Sequence, residues 1–227
     1  MARVKGNVLG NLSGKLGNLS ARTRNGETTL SARPSSFNAS QDPEVVANRQ
    51  KFAVTANFSK YVLSIPTLKD IWEITKANNL SVSNAIFKAN YPYSSADRPT
   101  DDNILTPDGF TLPVTSAEID AGNVAVVLSA MNTATIIEAN EVDVSFASII
   151  VLYNPISPED APFKIIKLFQ DAAAFDFANP YTLTMALHAS ENAEVAKYSN
   201  SILLLAAATK DADSNVIQYS NTFSQVS

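Results

Sequence analysis

Glycine is confined almost wholly to one end of this chain. Five of seven, Gly6, Gly10, Gly14, Gly17 and Gly26, lie in the first 26 of 227 residues. A segment so rich in glycine resists helix, since each one inside a helix costs about 1 kcal/mol relative to alanine. Charge divides at nearly the same place. Arg3, Lys5, Lys15, Arg22 and Arg24 all precede the first acid, Glu27, so the opening carries +5. From Pro34 onward eleven basic residues stand against twenty-one acidic ones, a net charge of −10. A cationic arm on an anionic body points toward assembly with other copies rather than toward chemistry.

The rest of the composition sets bounds. With 227 residues, 45% of them hydrophobic, the chain can bury a real core as one large domain or two modest ones. Cysteine is absent, which removes disulfides and thiolate metal sites from consideration. The basic N-terminus lacks the apolar stretch of a secretory signal, and no apolar run reaches the roughly 18 residues of a membrane span. The expectation is a soluble chain without a membrane span. An overall charge of −5 and a pI near 4.9 argue against the whole molecule binding nucleic acid.

Within the arm a short unit recurs as Gly6-Asn7-Val8-Leu9, Gly10-Asn11-Leu12-Ser13 and Gly17-Asn18-Leu19-Ser20. Leu9, Leu12, Leu16 and Leu19 keep helical spacing, yet the intervening glycines disfavour a helix. Two readings fit: a frayed terminus, or an extended arm whose leucines dock on another surface. Four regularly spaced leucines favour docking, so Leu9, Leu12, Lys15, Leu16, Leu19, Arg22 and Arg24 are the candidate subunit-interface residues. Asn25-Gly26 between strand-like segments predicts a type I′ hairpin over residues 19–33. An isolated ribbon is marginal in water, so the hairpin is expected to join a sheet, its own or a neighbour's.

Three helices are predicted next. Asp42-Pro43-Glu44 opens one to about Val62, with Val45, Phe52 and Ala56 inward. Thr67 to Asp70 resembles a capping box leading a helix through about Asn78, with Leu68, Ile71, Trp72 and Thr75 on one face. Ser81 starts a short third helix with Val82, Ala85, Ile86 and Ala89 inward. An aromatic on such a stripe reads as core, so Trp72 is assigned to packing rather than to a ligand platform. From Leu112 the pattern changes to strands, at 112–119, 122–130, 133–138, 141–153, 163–170, 181–188, 201–209 and 215–223. Tyr181, Leu183, Met185 and Leu187 alternate with polar or small residues, which places His188 on a polar face. Ile149 to Leu152 and Leu203 to Leu205 are apolar on both faces, as in a central strand or an assembly interface, with the central strand favoured. The predicted class is α+β: an extended basic arm and hairpin over 1–34, a helical region over 35–95, and an Ig-like antiparallel β-sandwich over 96–227.

The search for chemistry returns negatives. A Ser-His-Asp set would have to be built on His188 alone, and no nucleophile elbow is present. Gly14-Lys15 lacks the upstream glycine of a phosphate loop. Asp211-Ala-Asp213-Ser-Asn215 begins like a calcium loop, but Val216 and Thr222 stand where glycine and glutamate are required, so a hairpin turn is expected. Asp101-Asp102 reads as solvated loop charge. No catalytic, cofactor-binding or metal-binding residue is assigned, and the protein is not expected to be an enzyme. Asn11, Asn18, Asn38, Asn57 and Asn79 begin Asn-x-Ser sequons, possible glycan sites in a cell with that machinery.

Gly10 to Gly17, the hairpin, Arg33-Pro34 and Arg49-Gln-Lys-Phe52 together resemble the opening of a Bacteroidota family without assigned activity, whose members begin Gly-x-Leu-Ser-Gly-Lys-x-Gly. Asp213 to Phe223 is similar to that family's closing hairpin. The resemblance implies a helical N-terminal part, an Ig-like C-terminal part and a specific job for the arm. The function expected is a structural subunit forming a helical homopolymer, a filament or tube at the cell surface or outside it, without cofactor. A virion component, tail-tube or capsid-decorating, and an Ig-like module binding a glycan or peptide are the alternatives.

Overall fold

The computed structural model describes residues 2–4, 12–24, 26–34, 36, 38–120 and 122–227, in two compact units, 1–45 and 46–227. In the first unit four strands, β1 (Ala2–Val4), β2 (Gly14–Leu16), β3 (Leu19–Arg24) and β4 (Glu27–Ala32), form one antiparallel sheet in the order β1-β4-β3-β2. The predicted hairpin is present: Arg24 pairs with Glu27 and Leu19 with Ala32. The arm is not wholly extended and unattached, because β1 and β2 flank that hairpin. Leu16 pairs with Leu19, so Gly17-Asn18 is itself a two-residue turn, and Gly17 takes the φ of +57° that such a turn requires. The repeated Gly-Asn therefore acts, at residues 17–18, as turn chemistry.

The second unit has three layers. Three helices, α1 (Pro43–Leu63, in this unit from Val46 on), α2 (Pro66–Thr75) and α3 (Val82–Asn90), lie on a five-stranded antiparallel sheet. Strands β5 (Val114–Asp120) and β6 (Asn123–Leu128) precede a 3-10 turn at Met131–Thr133. Then come β7 (Asp143–Pro155), β8 (Phe163–Ala172), β9 (Tyr181–Ala186), the short α4 (Ala189–Val195), β10 (Tyr198–Lys210), β11 (Val216–Tyr219) and β12 (Phe223–Val226). The larger sheet runs β11-β10-β7-β8, with β12 also on β10; the smaller is β5-β6-β9. The doubly apolar segments are its centre. Ile149, Val151, Ile202, Leu204, Ala206 and Ala208 face the helices, while Phe146, Ile150, Leu152, Leu203 and Leu205 face the smaller sheet. Each fully buried aliphatic side chain contributes up to about 1.5–3 kcal/mol, which makes β7 and β10 the strands on which both cores depend.

Several expectations need correction. In α1 the inward stripe is Val54, Phe58 and Val62, not Val45, Phe52 and Ala56; Phe52 is 57% exposed and packs 4.8 Å from the Phe87 ring. Helix α2 begins at Pro66 with Ile65 as its cap residue, so the expected Thr67 to Asp70 box does not form: Thr67 is buried and the helix ends at Thr75. The third helix forms as expected, with Ser81 accepting from the Asn84 N–H, and Trp72 is core, its indole N–H donating to the Leu105 carbonyl at 2.7 Å. Residues 133–138 are not a strand. The Gln218 amide holds that loop instead, donating to the Ile136 carbonyl and accepting from the Thr135 hydroxyl. The last predicted strand is split into β11 and β12, because Phe110 bridges to Ser220 between them. No helix among the described residues is long and apolar enough to cross a membrane.

Candidate functional site

Residues directly opposite in an antiparallel pair share a face, so the register of the first unit sorts its side chains. Leu19 with Ala32, Ala21 with Leu30, and Thr23 with Thr28 form a largely apolar side. Lys15 with Ser20, Arg22 with Thr29, and Arg24 with Glu27 form the opposite, cationic side. The apolar side is partly closed by its own chain: the Thr23 hydroxyl donates to the Leu12 carbonyl at 2.8 Å, which leaves Thr28 to donate to Thr23, also at 2.8 Å. Among the residues of β3 and β4, burial is confined to Ala21 and Thr28.

The sequence-derived interface residues are thereby separated. Lys15, Arg22 and Arg24 are exposed on one side, Leu19 is half-buried on the other, and Leu12 is half-buried beside Thr23. Leu16 lies in β2 opposite Leu19. Leu9 lies outside the described residues, as do Asn11 and Asn25. The cations and Leu19 do not converge on one surface.

Charge in the second unit is polarised, which the count from Pro34 onward conceals. Residues 46–98 carry seven basic and three acidic side chains, net +4, whereas residues 99–227 carry four and sixteen, net −12. No basic residue stands between Arg98 and Lys164. The helical stretch is thus positive and the strand-rich stretch negative. Within the latter, Ala117, Val124, Val126, Leu183 and Met185 of β5, β6 and β9 enter the core, so their neighbours form an outward face. It has three cross-strand rows: Ser116, Val127 and Thr182; Glu118, Ala125 and Thr184; Asp120, Asn123 and Ala186. All are small or short except the two β5 acids, both exposed. This face is not among the sequence-derived candidates, although the alternation along 181–188 and the charge of each segment both point to it.

The remaining candidates resolve as structure. His188 is not in a strand; it is exposed and precedes α4, with its backbone N–H donating to Glu191 at 2.8 Å. Asp211 closes the β10–β11 turn by accepting from the N–H groups of Asp213 and Asn215 and from the Asn215 amide. Those bonds, the Asn215 side chain first, hold its carboxyl below the usual carboxylate range. Asp101 and Asp102 are exposed, and no group of three His, Cys, Asp or Glu able to hold a metal occurs among the described residues. A cleft of about 500 Å³ is lined by Arg98, Tyr153, Asp97, Asp160 and three prolines. The Arg98 guanidinium carbon sits 4.1 Å from the Tyr153 ring centre, and its buried Nε has no hydrogen-bond partner. This cleft can offer a donor to a carbonyl or an anion but presents no nucleophile beside a base. Comparison with known proteins finds no matching family model and no matching curated protein.

Proposed function

We propose that this protein is a non-enzymatic structural subunit that polymerises into a filament or tube, the N-terminal unit of one copy docking on the body of the next. The observation that carries this reading is the four-stranded N-terminal sheet in which, among the β3 and β4 residues, only Ala21 and Thr28 are buried. A sheet normally covers at least one face with another layer, and a cationic side facing away from its apolar side suits an anionic neighbour. A head-to-tail contact between different surfaces propagates helically when its rotation does not close a ring. The Ig-like description of the body belongs to the same proposal: two antiparallel sheets sharing one apolar layer support it, and the helical layer is an addition to it.

Deletion of residues 1–18 removes β1 and β2 but no residue of either core cluster. The expected product is a folded monomer, while the full chain forms fibres visible by negative-stain electron microscopy. Fibres that persist after the deletion would end the proposal. The Arg98–Tyr153 cleft favours a second reading, a module binding a glycan or peptide. A stable monomer by gel filtration with saturable ligand binding would favour that reading instead.

A further inference from the structure

We infer that the outward face of the β5-β6-β9 sheet is the surface that receives the cationic side of a second copy's N-terminal sheet. This rests on the assembly reading above and names the partner surface that it leaves open. Charge selects the face. The helical stretch is net +4 and repels the arm, and the exposed edge strand β8 carries Lys164 and Lys167, residues that blunt strand-to-strand addition. The smaller sheet instead lies in the stretch whose charge is −12 and presents Glu118 and Asp120 on its edge strand.

Geometry agrees with charge. Arg22 and Arg24 are two residues apart on one strand, and so are Glu118 and Asp120, which gives both pairs a spacing of about 6.8 Å. In the aligned mode of sheet packing, strands lie within about 30° of each other, and in that mode the two pairs can meet in register. Ala125 and Thr184, beside Glu118, are short enough to admit long arginine side chains. Three strands of about six residues offer about 300 Å² on this face. That is well below the roughly 800 Å² a side of a stable complex. The contact therefore sets orientation and register, and it is sensitive to salt.

The test uses the full chain and measures critical concentration for polymerisation by light scattering, with circular dichroism to confirm folding. Glu118→Lys/Asp120→Lys reverses one face, and Lys15→Glu/Arg22→Glu/Arg24→Glu reverses the other. Each variant alone is expected to raise the critical concentration by about tenfold or more at low salt. An equimolar mixture is expected to copolymerise near the wild-type value, because each reversed face then meets an opposite one. Wild-type behaviour of the Glu118/Asp120 variant, or a mixture that fails to recover, overturns the assignment of this face and leaves the assembly reading standing. A wild-type chain that never polymerises overturns both.

Discussion

At Gly109 no side chain fits. Its φ is +112°, and an added Cβ would lie 2.4 Å from the Tyr219 oxygen and 2.6 Å from the Ser220 carbonyl carbon, both backbone atoms. The close approach carries the Phe110 bridge that splits β11 from β12, so Gly109→Ala is expected to lower stability by about 2 kcal/mol or more, read from the urea midpoint. Asn90 is a second such position, fully buried at the end of α3. Its amide donates to the Ile86 and Ile104 carbonyls, while its oxygen accepts from Asn103 and from the Ile104 N–H. Asn90→Ala strands several of those partners away from water, and about 3 kcal/mol of destabilisation is expected in the same measurement.

The two-faced strand β9 and the doubly apolar strands β7 and β10 were legible in the sequence; the inward stripe of α1 was not. The Tyr181 to Leu187 alternation located β9, although the strand ends at Ala186, and Ser81 marked the start of α3. In α1, Phe52 and Ala56 keep helical spacing as faithfully as Val54, Phe58 and Val62 do, and spacing alone could not choose between the stripes. Phe52 is taken up by Phe87, which in turn stacks on Tyr91, a tertiary choice invisible to local pattern. The cationic and apolar sides of the N-terminal sheet were equally hidden, because they follow from register between strands and not from order along one. The β10–β11 turn offers an element-scale test. Its Asp211 carboxyl is depressed in the folded state, so its contribution is present above the unfolded value of about 3.9 and is lost as pH falls through the lower folded value. The Asn215 amide resonance is expected to titrate with a midpoint below that of an unperturbed aspartate, and Asp211→Asn to abolish that titration.

For the whole molecule, charge is arranged by segment: +3 over residues 1–45, +4 over 46–98 and −12 over 99–227. An assembly steered by that arrangement weakens when ions screen it. Raising salt from about 50 mM to about 1 M shrinks the screening length to about 3 Å, and the critical concentration of the full chain is expected to rise by about tenfold. A critical concentration that falls with salt would show that apolar surface dominates the contact.

The central pairing of β7 with β10 carries one more implication, for biosynthesis. Strand β10 begins at Tyr198, after the helices, β7 and the whole of the smaller sheet have left the ribosome. Until then each core lacks half of its middle, and Phe146, Ile149 and Ile150 have β8 on one side but not β10 on the other. Translation of this protein thus passes through an interval in which β7, already able to pair with β8, still has its other edge open for the late-made β10.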